Sequence, residues 1–491
     1  MRFNKKIFIQ VTLVFILLFS ILITNKNFYK SDTYSYPAIN GDPHQYLAMS
    51  LNIYKYNIIT HDNPRAKGTP SNYREFIYPL YLSLFYNFLD WKNYSYHDCI
   101  YQKNLKHCEE FYYSIFISEL FLILVSLLIL IYISKNSLIK FLISTSFFLY
   151  FIINQGMIFN FSPELISAIL LFGLSFFTYE LIKKNSIVLY IYSILCFVLL
   201  VYIKNIFYYY AVILFFISIF SLFLYFFFLT LFKKDLFLFG NIFFKFLIVS
   251  SITLVCILPY QLRNQIKFNN TALTKRGDEV LTIRNEFLKL NYKEIINGFY
   301  YYSPNIFGLK NNNKFKKIKK NSFYNISLER SYYRSYNRPH GYVINSFNKN
   351  YGTNFSSYEK WSNSYQNQVA QYNIKVYLSN FVKQTLLSTL MFYKGFNYKW
   401  DINQSVLETT IFNFIYFFFV ITLLCQIFKS FFNKRYMALI IYSPTFYFVF
   451  MMSTLTFYEP RMNNTLILIL IMSYNYLKYE KLYNLRSYFK K

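Results

Sequence analysis

The sequence predicts a polytopic α-helical membrane protein, and three observations carry that prediction. Hydrophobic residues make up 55% of the 491 and charged residues only 15%, where ordinary soluble domains carry roughly 25% charge. The mean hydropathy is +0.25. Apolar runs of about 18 residues recur along the chain, each long enough at 1.5 Å per residue to cross a hydrocarbon core of roughly 30 Å. A water-soluble enzyme, a collagen and a disordered tail are excluded on the same grounds. Lys and Arg number 51 against 22 Asp and Glu, a net charge of +29. In a soluble chain that excess would point to nucleic acid; in a membrane chain it reports topology first, and no nucleic-acid partner is expected.

The chain opens with MRFNKK and then IFIQVTLVFILLFSILIT. The charged start and apolar run are those of a signal peptide, but no A-x-A-type cleavage site follows and the run is long enough to span, so residues 7–24 are expected to remain as the first helix. Further spans are expected near 112–133, 138–153, 163–182, 186–202, 206–232, 241–258, 407–428, 436–453 and 464–478, ten in all. Basic residues in short connections set the orientation. With Arg2, Lys5 and Lys6 inside, the inner connections carry Lys135 and Lys140, then Lys183 and Lys184, Lys233 and Lys234, and Lys429, Lys434 and Arg435; the tail carries Lys478, Lys481, Arg486, Lys490 and Lys491. The short outer connections hold at most one basic residue each: none in 154–162, then Lys204, then Arg461. Both termini are therefore expected in the cytoplasm of a multi-pass plasma-membrane protein.

Two long hydrophilic segments, 25–111 and 259–406, fall on the outer side, and the chemistry is expected there. The domain reading is a seven-helix module over 1–258, an outer domain over 259–406, and a three-helix module with a basic tail over 407–491. The outer domain holds NNNKFKKIKK at 311–320, which reads either as a solvated basic loop or as a surface for anionic lipid phosphates. All five histidines, His44, His61, His97, His107 and His340, lie in these segments, together with Cys99 and Cys108. A Cys99–Cys108 disulfide and a metal site with His97 and His107 are alternatives, though the spacing fits no standard zinc pattern. There is no P-loop, no Gly-rich nucleotide fingerprint, no CxxC and no internal repeat. Glu119 and Lys245 fall within expected spans, where ionisable groups are functional candidates by default; Glu119 could equally satisfy a neighbouring Tyr or Lys and is left out of the site.

After the first helix comes NGDPHQYLAMSLNIYKYN, then YREFIYPLYLSLFYNFL. Asp42 lies just outside the membrane, ahead of Tyr46 and Ala48 on an expected interfacial amphipathic helix with Leu47, Leu51 and Tyr54 on its apolar face. A partly desolvated Asp at the mouth of a helical bundle suits a general base. Later come NFSPELISAILLFGLSFF with Glu164 at the start of a span, CILPYQLRNQIKFNNTALT with Pro259, Arg263, Asn264 and Phe268, and FYEPRMNNTLIL with Glu459 and Arg461.

These motifs, in this order, resemble bacterial GT-C glycosyltransferases of the protein mannosyltransferase / aminoarabinose transferase type (glycosyltransferase family 39-like). In that family the first outer loop often reads D-x-x-x-Y-x-x-x-A and later R-x-P-G-Y-P; the fourth span opens S-x-E/P-E; the seventh span exits through P-W-x-x-R-N-x-x-x-F-G; and an E-P-R element precedes the last span. Phe76 and Ile77 stand here where the family has Pro-Gly, Pro43 where many members have a second acid, and Tyr260 where the family has Trp.

The resemblance implies a GT-C fold and an inverting transferase. It would move a sugar from a polyprenyl-phosphate donor to a lipid, glycan or protein acceptor at the outer face of the plasma membrane. Asp42 and Glu164 would be the catalytic carboxylates; Arg74, Lys204, Arg263 and Arg461 would hold the donor phosphate; Tyr46, Tyr78, Asn264 and Glu459 would position substrate. No cofactor is certain, and a divalent metal is left open. The plainer readings are that Lys204 snorkels to headgroups and that Arg263 and Arg461 form ion pairs with Glu164 or Glu459. An O-antigen polymerase-like protein and a lipid or glycan transporter are the rival functions; the first expects Arg-rich outer loops without an Asp after the first helix, the second expects paired charges at the bilayer midplane.

Overall fold

The computed structural model of the chain describes residues 5–29, 42–62, 67–72, 74–88, 109–134, 137–154, 162–232, 237–274, 291–302, 381–396, 406–432, 436–454 and 464–476. Among them the regular structure is helical: α1 (Lys5–Tyr29), α2 (Asp42–Tyr56), α3 (Ile77–Phe88), α4 (Glu109–Ser134), α5 (Leu138–Asn154), α6 (Glu164–Lys183), α7 (Ile187–Ile203), α8 (Ile206–Phe232), α9 (Phe237–Phe268), α10 (Tyr292–Tyr302), α11 (Phe381–Phe396), α12 (Val406–Phe432), α13 (Tyr436–Thr454) and α14 (Ile467–Tyr476). Each apolar run read from the sequence overlaps one of these helices, though the run at 464–478 is α-helical only over Ile467–Tyr476 among the described residues. Four stretches, Ile115–Ser134, Glu164–Lys183, Ile206–Phe227 and Gly240–Phe268, are long and apolar enough to cross a membrane. The chain is a helical membrane protein.

The chain divides into two compact units, one made of Met1–Thr274, Phe419–Tyr447 and Asn464–Lys491, the other of Lys275–Phe418 and Phe448–Asn463. The sequence reading divides the chain at 258/259, but α9 runs through that point to Phe268 with Pro259 inside it. Proline supplies no N–H to the helix and crowds the carbonyl one turn back. A neighbouring helix meets the disturbed turn: the Tyr202 hydroxyl of α7 donates to Cys256 O at 3.1 Å. The helix ends where Asn269 takes φ 52° and its N–H reaches Gln265 O at 3.0 Å, a left-handed cap that asparagine tolerates. Asn57, also at φ 52°, closes α2 in the same way through Ile53 O at 3.0 Å.

In the first unit α6 packs on α7 and α8 on α9, with α14 against α6, α4 and α5. Leu466 through Met472 are each at most 2% exposed, so the final apolar segment is core on every side. α8 is the opposite case: Phe216, Phe220, Phe223 and Phe227 are 63%, 61%, 65% and 51% exposed and recur every three or four residues, an outward stripe suited to lipid. Lys245, 3% exposed, donates from Nζ to Leu181 O at 2.9 Å and Ile182 O at 3.2 Å. These are last-turn carbonyls of α6, where the helix dipole favours a cation.

α2 corrects one expectation. Tyr46 through Asn52 include no exposed position, and α2 packs on α3, so it is buried by protein on all sides along that stretch instead of lying half-exposed at the interface. α3, apolar along most of its length, supplies the cover.

The close approach of α6 and α7 depends on Gly173, where an added Cβ would stand 2.7 Å from Cys196 Sγ and 3.7 Å from Cys196 Cβ. Gly173→Ala is expected to destabilise the protein by about 1–3 kcal/mol through overpacking. Cys196→Ala should recover most of the loss, because it removes the atom that clashes. Thermal unfolding of the detergent-solubilised single and double variants tests this; additive losses would show that the contact is not the cause.

Candidate functional site

One end of the first unit gathers polar side chains from several segments. α2 provides the platform. Asn52, fully buried, donates from Nδ2 to Thr60 O at 3.1 Å and Asp62 O at 2.8 Å, which folds the chain back after the helix. Asp62 Oδ2 accepts from Thr69 N at 3.1 Å, and Ser71 N reaches Ile59 O at 2.8 Å. Gly68 permits this closure, since a Cβ there would meet Asp62 Oδ2 at 2.6 Å.

The pinned loop delivers Arg74, Glu75 and Phe76 to the helix ends. Arg74 is 3% exposed; its Nε donates to Gln45 Oε1 and its guanidinium lies 5.4 Å from the Tyr46 ring centroid, within cation–π range. The Tyr46 hydroxyl donates to Glu75 Oε2 at 3.5 Å, and the Tyr46 ring meets Tyr78 edge-on at 5.5 Å. Phe76 stacks on Tyr260 of α9 at 4.9 Å and tilts against Tyr202 of α7 at 5.2 Å. That aromatic contact joins the first loop to the ends of α7 and α9.

Arg263 lies on the same cluster, 5.2 Å from the Tyr260 centroid and 5.5 Å from that of Phe268. Its Nη1 donates to Asn264 Oδ1 at 2.9 Å, while Asn264 Nδ2 holds the following segment through Ala272 O at 2.8 Å and Leu273 O at 3.3 Å. Arg263 forms no ion pair among the described residues. Lys204, the residue that ends α7, pairs instead with Glu164 at 3.3 Å, their side chains 15% and 7% exposed. Removing either partner of so enclosed a pair leaves a costly buried charge.

His61 sits in the pinned loop and its pKa is lowered from 6.5, chiefly by burial, with Arg74 pushing it further down and Asp62 opposing. The neutral ring is thus favoured on folding. The unfolded state binds the proton more readily, so stability is full above about pH 6.5 and falls as pH drops from there toward the folded-state value. The unfolding temperature is expected to decline below that pH in the native protein and to decline less in His61→Gln; parallel curves would count against His61 as the titrating group.

The structure therefore brings Arg74, Tyr46 and Tyr78 together, joins them through Phe76 to Arg263 and Asn264, and places Lys204 on Glu164. The sequence alternative that paired Glu164 with Arg263 is replaced by the Lys204 pair. Asp42 is the first residue of α2; its side chain and that of His44 lie outside the described residues. So do Glu459, Arg461, Cys99, Cys108, His97, His107, His340 and the run 311–320. No group of three or more His, Cys, Asp or Glu capable of holding a metal occurs among the described residues.

Sequence reasoning left Glu75, Phe76, Tyr202 and Tyr260 out of the site. A signal existed: Phe76 and Tyr260 both stand where the motifs depart from the family pattern, and the two rings stack on each other. Glu119, 4% exposed on α4, neighbours the same region, since it bears electrostatically on Tyr78. Comparison of the chain with protein-family models, with curated proteins and with solved structures finds no match.

Proposed function

We propose that this chain is an integral membrane glycosyltransferase of GT-C type, with ten spans and both termini cytoplasmic. It takes a sugar from a polyprenyl-phosphate donor to a lipid, glycan or protein acceptor at the outer face of the plasma membrane. The observation that carries the reading is the convergence at one bundle end of Arg74, Lys204 and Arg263 with Glu75 and Glu164. Arg263, backed by two aromatic faces and free of an ion-pair partner among the described residues, is the group suited to a phosphate.

In the proposed reaction the acceptor hydroxyl oxygen attacks the anomeric carbon and its proton passes to Asp42. The bond from that carbon to the phosphate oxygen breaks, and the electron pair leaves with the lipid phosphate. Charge develops on that phosphate in the transition state, where a fixed guanidinium stabilises it most. Lys204, matched by Glu164, contributes little net charge and holds the ends of α6 and α7 together. Tyr46, Tyr78, Asn264 and Glu459 position substrate.

The test is reconstitution of the purified chain in proteoliposomes with a panel of polyprenyl-phosphate hexoses and pentoses and cell-envelope lipid acceptors, reading the free polyprenyl phosphate formed. Release that depends on acceptor supports the transferase. Movement of the intact donor across the bilayer without release would replace it with the transporter.

A further inference from the structure

Helices α10 and α11 belong to the second unit and pack on one another. Ile295 and Gly298 of α10 and Leu387, Leu390 and Met391 of α11 are buried, and Phe299 meets Tyr393 at 5.4 Å. This contact uses up one apolar face of α11, yet the helix carries another. Phe381 is 73% exposed, Val382 70% and Phe392 41%, with Thr385 and Thr389 exposed among them. At about 100° per residue these five positions fall in one arc of roughly 100°, on the side away from Leu387 and Leu390.

The threonines do not make this face need water. Thr385 Oγ1 donates to Phe381 O at 2.9 Å, Thr389 Oγ1 to Thr385 O at 2.9 Å, and Ser388 Oγ on the flank to Gln384 O at 2.8 Å. Each hydroxyl hydrogen is taken by the helix's own backbone, the arrangement a helix requires where water is scarce. The same pattern occurs in α1, where Thr12 donates to Phe8 O and Ser20 to Ile16 O. On α10, Tyr292 and Ile296 are 51% and 59% exposed one turn apart, with Lys293 exposed beside them.

Two further facts select the occupant of this face. Across residues 275–418 Lys and Arg number 20 against 8 Asp and Glu, and the run 311–320 alone holds five lysines. Only residues 397–405 separate α11 from α12, a 27-residue apolar helix, so at full extension the end of α11 stays within about 36 Å of the start of α12. An apolar face, a segment of net positive charge and a short tether to an apolar helix together describe an interfacial element.

We propose that α11, with the Tyr292 and Ile296 edge of α10, docks in the headgroup interface of an anionic lipid bilayer. The face inserts its Phe and Val side chains at the acyl boundary, where exposed Lys293 beside Tyr292 and the net positive charge of 275–418 favour anionic lipid phosphates. This anchoring is independent of the transferase reading and stands or falls without it.

The test uses the full chain with its three tryptophans, Trp91, Trp361 and Trp400, replaced by Phe, and a single tryptophan introduced as Phe381→Trp or, in a second protein, Phe392→Trp. Both exchanges keep an aromatic ring on the outer face. In proteoliposomes made with brominated phosphatidylcholine, emission from both positions is expected to be quenched, with weak quenching by aqueous iodide. Adding phosphatidylglycerol should deepen the lipid quenching. Iodide quenching without lipid quenching at either position would overturn the proposal, as would protection from both quenchers, which would place a protein segment on the face. Equal lipid quenching with and without phosphatidylglycerol would overturn the anionic preference.

Discussion

Asp42→Asn is expected to slow sugar transfer by a factor of about 10² to 10⁴, the usual worth of a positioned general base. Asparagine keeps the size and hydrogen-bonding shape of the side chain but accepts no proton from the attacking hydroxyl. The exchange is also mild for the fold. Asp42 is the first residue of α2, where loss of its charge from the helix N-terminus costs only about 0.3–1 kcal/mol. The loss should therefore fall on kcat with the unfolding temperature little changed. Initial rates of polyprenyl phosphate release at equal protein, alongside thermal unfolding, separate the two effects. A variant that unfolds early would assign Asp42 to structure, and one with unaltered rate would remove it from the chemistry.

The second large effect is expected at Arg263. Arg263→Ala should reduce transfer by about 10² to 10³, the cost of removing one preorganised group from a developing anion. Arg263→Lys should recover only part of this. A lysine supplies a point charge, but it lacks the planar fork that meets a phosphate bidentately and stacks on aromatic faces, and Arg263 lies against both Tyr260 and Phe268. The effect should grow as the reaction passes from donor binding to the transition state, so kcat/KM and kcat fall together. A rise in KM alone would make Arg263 a docking residue for the ground state. Equal rates in all three proteins would place the leaving phosphate elsewhere.

Much of the helical architecture was legible because a span announces itself: a run of apolar residues long enough for the bilayer needs little tertiary information. What each helix faces was not legible. The segment ending in α14 reads like any other span, and only packing shows that Leu466 through Met472 are enclosed by protein. α8 carries a similar apolar composition and turns its phenylalanines outward. Hydropathy ranks both as apolar and has no means of telling protein from lipid as the neighbour.

The ends of elements were read less well for a specific reason. Pro259 reads as a stop, since proline normally ends a helix, yet α9 continues to Phe268. A side chain from another helix, Tyr202, takes up a carbonyl in the disturbed turn, and nothing local in the sequence foretells that partner. The same limit applies to α2, whose apolar stripe resembles an interfacial helix until α3 is packed over it.

In the candidate site, residue types were legible and pairings were not. Arg74, Lys204, Arg263 and Glu164 stand out as charges at the ends of apolar runs. That Lys204 is matched by Glu164 while Arg263 is left with ring faces and an amide depends on where α6, α7 and α9 end relative to one another. Those offsets follow from side-chain packing over the whole helix length. The stacking of Phe76 on Tyr260 shows how two departures from a motif, about 180 residues apart, occupy one place in space.

The most direct test of the transferase reading is made on cells. Surface glycans, both lipid-linked and polymeric, are compared by mass spectrometry between cells carrying the native chain and cells carrying Asp42→Asn at equal expression. Loss of a single sugar from one glycan is the predicted result, and it would identify the product. Shortened chains of unchanged composition would instead mark a polymerase, and an unaltered glycan profile would contradict the account.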